Sequence, residues 1–142
     1  MPPPDRKRLV RLQRLEKVRA VARRQAAVEA ATAEGTLAQL LALAERTGRM
    51  AQDYASRRDA PDGHALSQLS RFRAGLEGVS HDTRGDAEKA RRQADLRLRE
   101  LAEAERRRQA AEDRASAEAK ALSAAGQPPP LGSRKAPGTG LE

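Results

Sequence analysis

Residues 54–72, YASRRDAPDGHALSQLSRF, decide the fold of this chain. They open on its only tyrosine and close on its only phenylalanine. Between the two rings lies Pro61, the sole proline from Asp5 to Gln127, two residues before Gly63. Asp59, Pro61, Asp62 and Gly63 are turn chemistry. Proline fixes φ and interrupts a helix, aspartate bonds nearby backbone, and glycine accepts conformations other residues avoid.

Working outward, the flanks read as helix. The chain has 142 residues, of which 34% are charged and 1% aromatic, and much of its 38% hydrophobic content is alanine. Alanine contributes little burial energy but is the best helix former. With so few β-branched residues, sheet is close to excluded and long helices are favoured. The expected organisation is a short unstructured lead (1–4), a helix over 5–58 capped by Asp5, a turn over 59–64, a helix over 65–125, and a disordered Pro/Gly-rich tail over 126–142. Each helix would span roughly 80–90 Å at 1.5 Å per residue. Neither is stable alone unless its apolar stripe finds a partner.

The stripes supply one. In the first segment a 3–4 spaced set runs Leu12, Leu15, Arg19, Ala22, Ala26, Glu29, Ala33, Thr36, Leu40, Leu43, Thr47, Met50, Tyr54. In the second, Leu69, Phe72, Leu76, Val79, Thr83 and Ala87 begin a set that continues to Leu122. Both have the coiled-coil period. Folding back at residue 63 makes facing residues sum to about 126, so Tyr54 meets Phe72, Met50 meets Leu76, Thr47 meets Val79, and Leu43 meets Thr83. Farther along, Leu15 falls opposite Ala111. The predicted fold is therefore all-α, an antiparallel coiled-coil hairpin. The competing arrangement pairs each helix with another copy of itself.

Several chemistries are excluded or left without support. Without cysteine there are no disulfides or thiolate metal sites. His64 and His81 are the only histidines, neither has a second ligand at metal-binding spacing, and no Gly-rich phosphate loop is present. No cofactor and no catalysis are expected. No apolar run approaches the ~18 residues that cross a bilayer. The N-terminus lacks the apolar core of a secretory signal, so a cytoplasmic protein is expected.

Charge is concentrated. Residues 1–24 hold nine Lys/Arg and two Asp/Glu, net +7 of the chain's +8. In the hairpin they face residues 100–122, whose six acids and five bases leave most of that excess uncancelled. Basic residues at a helix start also oppose the macrodipole. Arg6, Lys7, Arg8, Arg11, Arg14, Lys17, Arg19, Arg23 and Arg24 are thus either a solvated helix start or a surface for an acidic partner. Nucleic acid is disfavoured, since no aromatics interleave the basic residues for base stacking. An anionic membrane surface stays open. At the turn, Tyr54, Met50, Phe72 and Leu76 either plug the hairpin tip or dock a partner. Gly75 and Gly78 flank Leu76 and each costs about 1 kcal/mol in a helix interior, which clears room for another chain.

The basic first helix, the Pro/Gly break near residue 60, and a second helix opening LSQLSRFRAGLEGV together resemble the flagellar export protein FliJ family, itself related to YscO-like stalk proteins of type III secretion. The resemblance covers most of residues 5–122, and Phe72-x-x-x-Leu76-Glu77 carries most of it. It implies a stalk that binds the export ATPase ring and the cytoplasmic part of the export gate, with export chaperones among its partners. Membrane association would be peripheral, through those partners. By resemblance the gate patch is Phe72, Leu76, Val79 and Thr83, with Leu43, Thr47, Met50 and Tyr54 from the first helix. The family often has polar or aromatic residues at the positions of Leu43, Thr47 and Met50. Val79 and Thr83 are also substitutions, so Phe72 and Leu76 are the matching pair.

Overall fold

The computed structural model describes residues 2–57 and 61–126. Two helices, α1 (Arg6–Ser56) and α2 (Gly63–Gly126), pack against each other as an antiparallel hairpin, and no strand occurs among the described residues. Residue 1, the middle of the expected turn (58–60) and the tail from 127 lie outside the described residues.

Aspartate starts both helices. The Asp5 carboxylate accepts the Lys7 N–H at 3.0 Å, and its carbonyl accepts Leu9 N–H at 3.0 Å. Asp62 does the same for α2, accepting Ala65 N–H at 2.8 Å on its carboxylate and Leu66 N–H at 3.1 Å on its carbonyl. Each satisfies donors that a helix start leaves open and places negative charge at the positive end of the dipole. This cap corrects the expected boundary: Gly63 and His64 are the first residues of α2, not part of a 59–64 turn. α1 ends at Ser56, two residues short of the expected 58, where the Ser56 hydroxyl donates to Asp53 O at 2.9 Å. Asp62→Ala should cost about 1 kcal/mol of stability while Asp62→Asn costs only a few tenths. Paired thermal melts followed by circular dichroism measure that difference.

Packing divides the chain into two units, residues 21–106 and residues 1–20 with 107–142. In unit two (21–106) the register is visible in paired side chains. Tyr54 and Phe72 meet edge to face with centroids 4.7 Å apart, and Arg97 binds Glu29 across the seam at 3.2 Å. Both pairs have numbers summing to 126, the register the sequence predicts. Arg23 also pairs with Glu105. Such exposed pairs each contribute about 0–1 kcal/mol, so they report the register more than they enforce it.

The seam itself differs from the sequence expectation. Buried here are Ala30, Ala44, Thr47 and Ala51 of α1, and Ser80, Thr83, Ala87 and Ala94 of α2. Leu43, Met50, Phe72 and Val79, assigned to the seam from their 3–4 spacing, are 37–49% exposed. The helices close on small residues instead. The Ser80 hydroxyl, one bond beyond Cβ, donates to Ala44 O of the opposite helix at 3.0 Å. A Cβ added at Gly48 would stand 3.3 Å from that same oxygen. Helices this close leave no room for Leu or Met at the contact line, so the larger side chains are displaced to its flanks.

In unit one, of which 2–20 and 107–126 are described, Ala111 and Ala115 are buried and Leu12, Leu15 and Leu122 are half-buried. Glu118 ties α2 to the start of α1. Its carboxylate accepts the Asp5 N–H at 2.8 Å and lies 3.8 Å from the Arg8 guanidinium.

Candidate partner-docking surfaces

The eight residues proposed for the gate patch all fall in unit two, but at different depths. Leu43, Met50, Phe72 and Val79 are exposed, while Tyr54 and Leu76 are half-buried. Thr47 and Thr83 are buried in the seam. The two threonines are satisfied within their own helices: Thr47 Oγ1 donates to Leu43 O at 2.9 Å and Thr83 Oγ1 to Val79 O at 2.7 Å. Burial leaves them to set the floor of the surface.

The four exposed residues share one face. Gly48 lies beside Ser80 and Arg84, which fixes the flanks of α1 and α2 that meet on one side of the seam. Leu43 and Met50, seven apart on α1, project from the other flank. Phe72 and Val79, seven apart on α2, project from the flank that an antiparallel pairing places beside them. Gly75 lies one turn from both Phe72 and Val79, and a Cβ built there meets nothing within 4 Å. Tyr54 braces the row, with its ring against Phe72 on one side and the Arg57 guanidinium 4.5 Å from its centroid. The result is an apolar, approachable surface with a rigid aromatic anchor. Tyr54, Ala55, Leu66, Leu69 and Arg73 also line a hollow of about 210 Å³.

Sequence reasoning missed Ala30, Ala44, Ala51 and Ser80, although a signal for them exists. Ala30, Ala44 and Ala51 are separated by multiples of seven, and Ser80, Ala87 and Ala94 by seven. That strict recurrence of small residues marks a close-packed seam more faithfully than side-chain size does.

The nine basic residues of the first helix divide between the units. Arg8 is held by Glu118 in unit one, and Arg23 by Glu105 in unit two. Arg6, Lys7, Arg11, Arg14, Lys17, Arg19 and Arg24 form no ion pair among the described residues. Arg6, Lys7, Arg11 and Arg14 surround Val10, which is 45% exposed, so the surface mixes cationic and aliphatic groups. His64 lies 3.3 Å from Gln68 in the first turn of α2, and His81 is exposed. Among the described residues no three or more His, Cys, Asp or Glu come together as a metal cluster, and no helix is long and apolar enough to cross a membrane.

No protein-family model, curated protein or solved structure matches the chain.

Proposed function

We propose that this chain is a non-enzymatic coiled-coil stalk of a flagellar-type protein export apparatus, binding the export ATPase and coupling it to the cytoplasmic part of the export gate. The observation that carries the reading is the apolar face of unit two. Phe72 and Val79 are each 49% exposed, and Leu43 and Met50 lie beside them with no third element among the described residues to cover the row. Burying a large aliphatic or aromatic side chain contributes about 1.5–3 kcal/mol, so a partner that covers this row gains several kcal/mol. Large apolar anchors around a pre-braced ring are what protein hot spots use. The resemblance of the sequence around Phe72, Leu76 and Glu77 to the FliJ family supports the export gate as that partner. The cationic surface of unit one supports contact with the ATPase.

Adding the purified chain to its cognate export ATPase should promote hexamer formation and raise ATP hydrolysis. No change in either would remove the ATPase half of the reading.

The excess charge near the N-terminus supports a second reading, a coiled-coil binder of nucleic acid or an anionic membrane surface. Such binding would be steeply salt-dependent and lost with residues 1–24, and its absence at physiological salt would exclude it.

A further inference from the structure

We propose that unit one carries a docking groove for an acidic helical segment whose aliphatic side chains recur at heptad spacing. The groove is floored by Leu15, Ala110 and Ala111 and walled by Arg19, Arg107 and Arg114, and it holds about 190 Å³. No acid lines it. Arg114 also borders a second, larger hollow of about 560 Å³, whose apolar lining includes Pro2, Leu12, Ala117 and Ala121. Glu118 sits at that second hollow, with its carboxylate engaged by the Asp5 N–H and Arg8. Ala110 and Ala117, one in each hollow, are seven residues apart on α2, which is roughly 10 Å along the helix. A partner helix laid alongside would therefore place one side chain in each hollow from positions seven apart.

The walls and floor together select the occupant. Arg19 and Arg114 flank the groove beside Arg107, and the planar fork of an arginine engages carboxylates bidentately. The described part of unit one holds eleven Lys/Arg and five Asp/Glu, net +6, so an acidic partner is also drawn to it at long range. A concave floor of leucine and alanine needs an aliphatic side chain to fill it, and a phosphodiester backbone offers none. Both aromatic residues of the chain lie in unit two, so unit one has no aromatic ring on which to stack a base. A bilayer is entered by protruding apolar groups, whereas this site is a hollow between arginines. The proposal does not rest on the export reading and stands or falls separately from it.

The test uses the full chain and fluorescence anisotropy with two labelled synthetic helical peptides of equal negative charge. Both are built from Glu and Ala; one has leucines seven residues apart and the other has serines there. Duplex DNA and phosphatidylglycerol-containing vesicles serve as competitors. The leucine peptide should bind at least about tenfold more tightly than the serine peptide, as filling even one hollow implies. Arg19→Gln/Arg107→Gln/Arg114→Gln and, separately, Ala110→Glu should each reduce its binding at least about tenfold with helicity retained. The charge-matched Arg46→Gln/Arg71→Gln/Arg91→Gln variant in unit two should bind as the parent does. Equal binding of the two peptides, equal loss in both triple variants, no binding of either, or preferential displacement by DNA or vesicles would each overturn the groove.

Discussion

Ala44→Leu should destabilise the hairpin by about 1–3 kcal/mol, whereas Leu43→Ala, one residue away, should cost less than about 1 kcal/mol. The inversion of the usual expectation is the point of the pair. Ala44 is 3% exposed, and its carbonyl accepts the Ser80 hydroxyl from the opposite helix. Adding an isobutyl group there forces the helices apart, breaks that bond and opens the contacts of Thr47 and Ala51. Intrinsic helix propensity hardly distinguishes Ala from Leu, so the loss would be one of packing. Leu43 is 37% exposed and loses only partial burial on truncation. Urea titrations followed by circular dichroism give both values. The reverse order would mean that the seam runs through Leu43 and Met50, as side-chain size alone suggests.

Phe72→Ala/Val79→Ala should weaken binding to the cytoplasmic part of the export gate by about a hundredfold, which corresponds to ~2.7 kcal/mol. The two side chains together can contribute that much if the partner covers them. Hairpin stability should fall far less. Both residues already lie half in solvent, and the ring pair with Tyr54 is worth about 0.5–1.5 kcal/mol. Isothermal titration calorimetry with the gate domain, alongside circular dichroism of the same variants, separates binding from folding. A matched collapse of helicity would make Phe72 a plug for the hairpin tip. Unchanged binding with intact helicity would remove the gate contact from the reading. Leu76→Ala is the useful comparison, because Leu76 is half-buried and should move stability and binding together.

How far the candidate surface could be read from sequence depends on the residue. Phe72 and Tyr54 were legible because two lone rings equidistant from one break have to meet once the chain folds back. Thr47 and Thr83 fell on the right stripe, but their depth did not follow from it. A 3–4 spacing locates a stripe to within one residue on either side, and burial changes steeply across that width. Of the arginine groove of unit one, the sequence register placed only Leu15 opposite Ala111, and the hollow itself was not read. Arg19 is far in sequence from Arg107 and Arg114, and only the pairing of α1 with α2 sets them around Leu15.

The sequence by itself determined the all-α class, the break between the helices, the Asp5 start of the first helix and the register near 126. These follow from local propensity, turn chemistry and the coiled-coil period, each of which is written in short stretches of chain. The tertiary structure alone decided which residues form the contact line. Ser80 reaching Ala44 O, and Gly48 leaving space for it, bring the backbones close enough that alanine outcompetes leucine for the centre. That choice pushes Leu43, Met50, Phe72 and Val79 outward onto one face. Hydrophobicity says that a side chain seeks burial, but the distance between two helices sets which side chains fit, and that distance is a property of the pair.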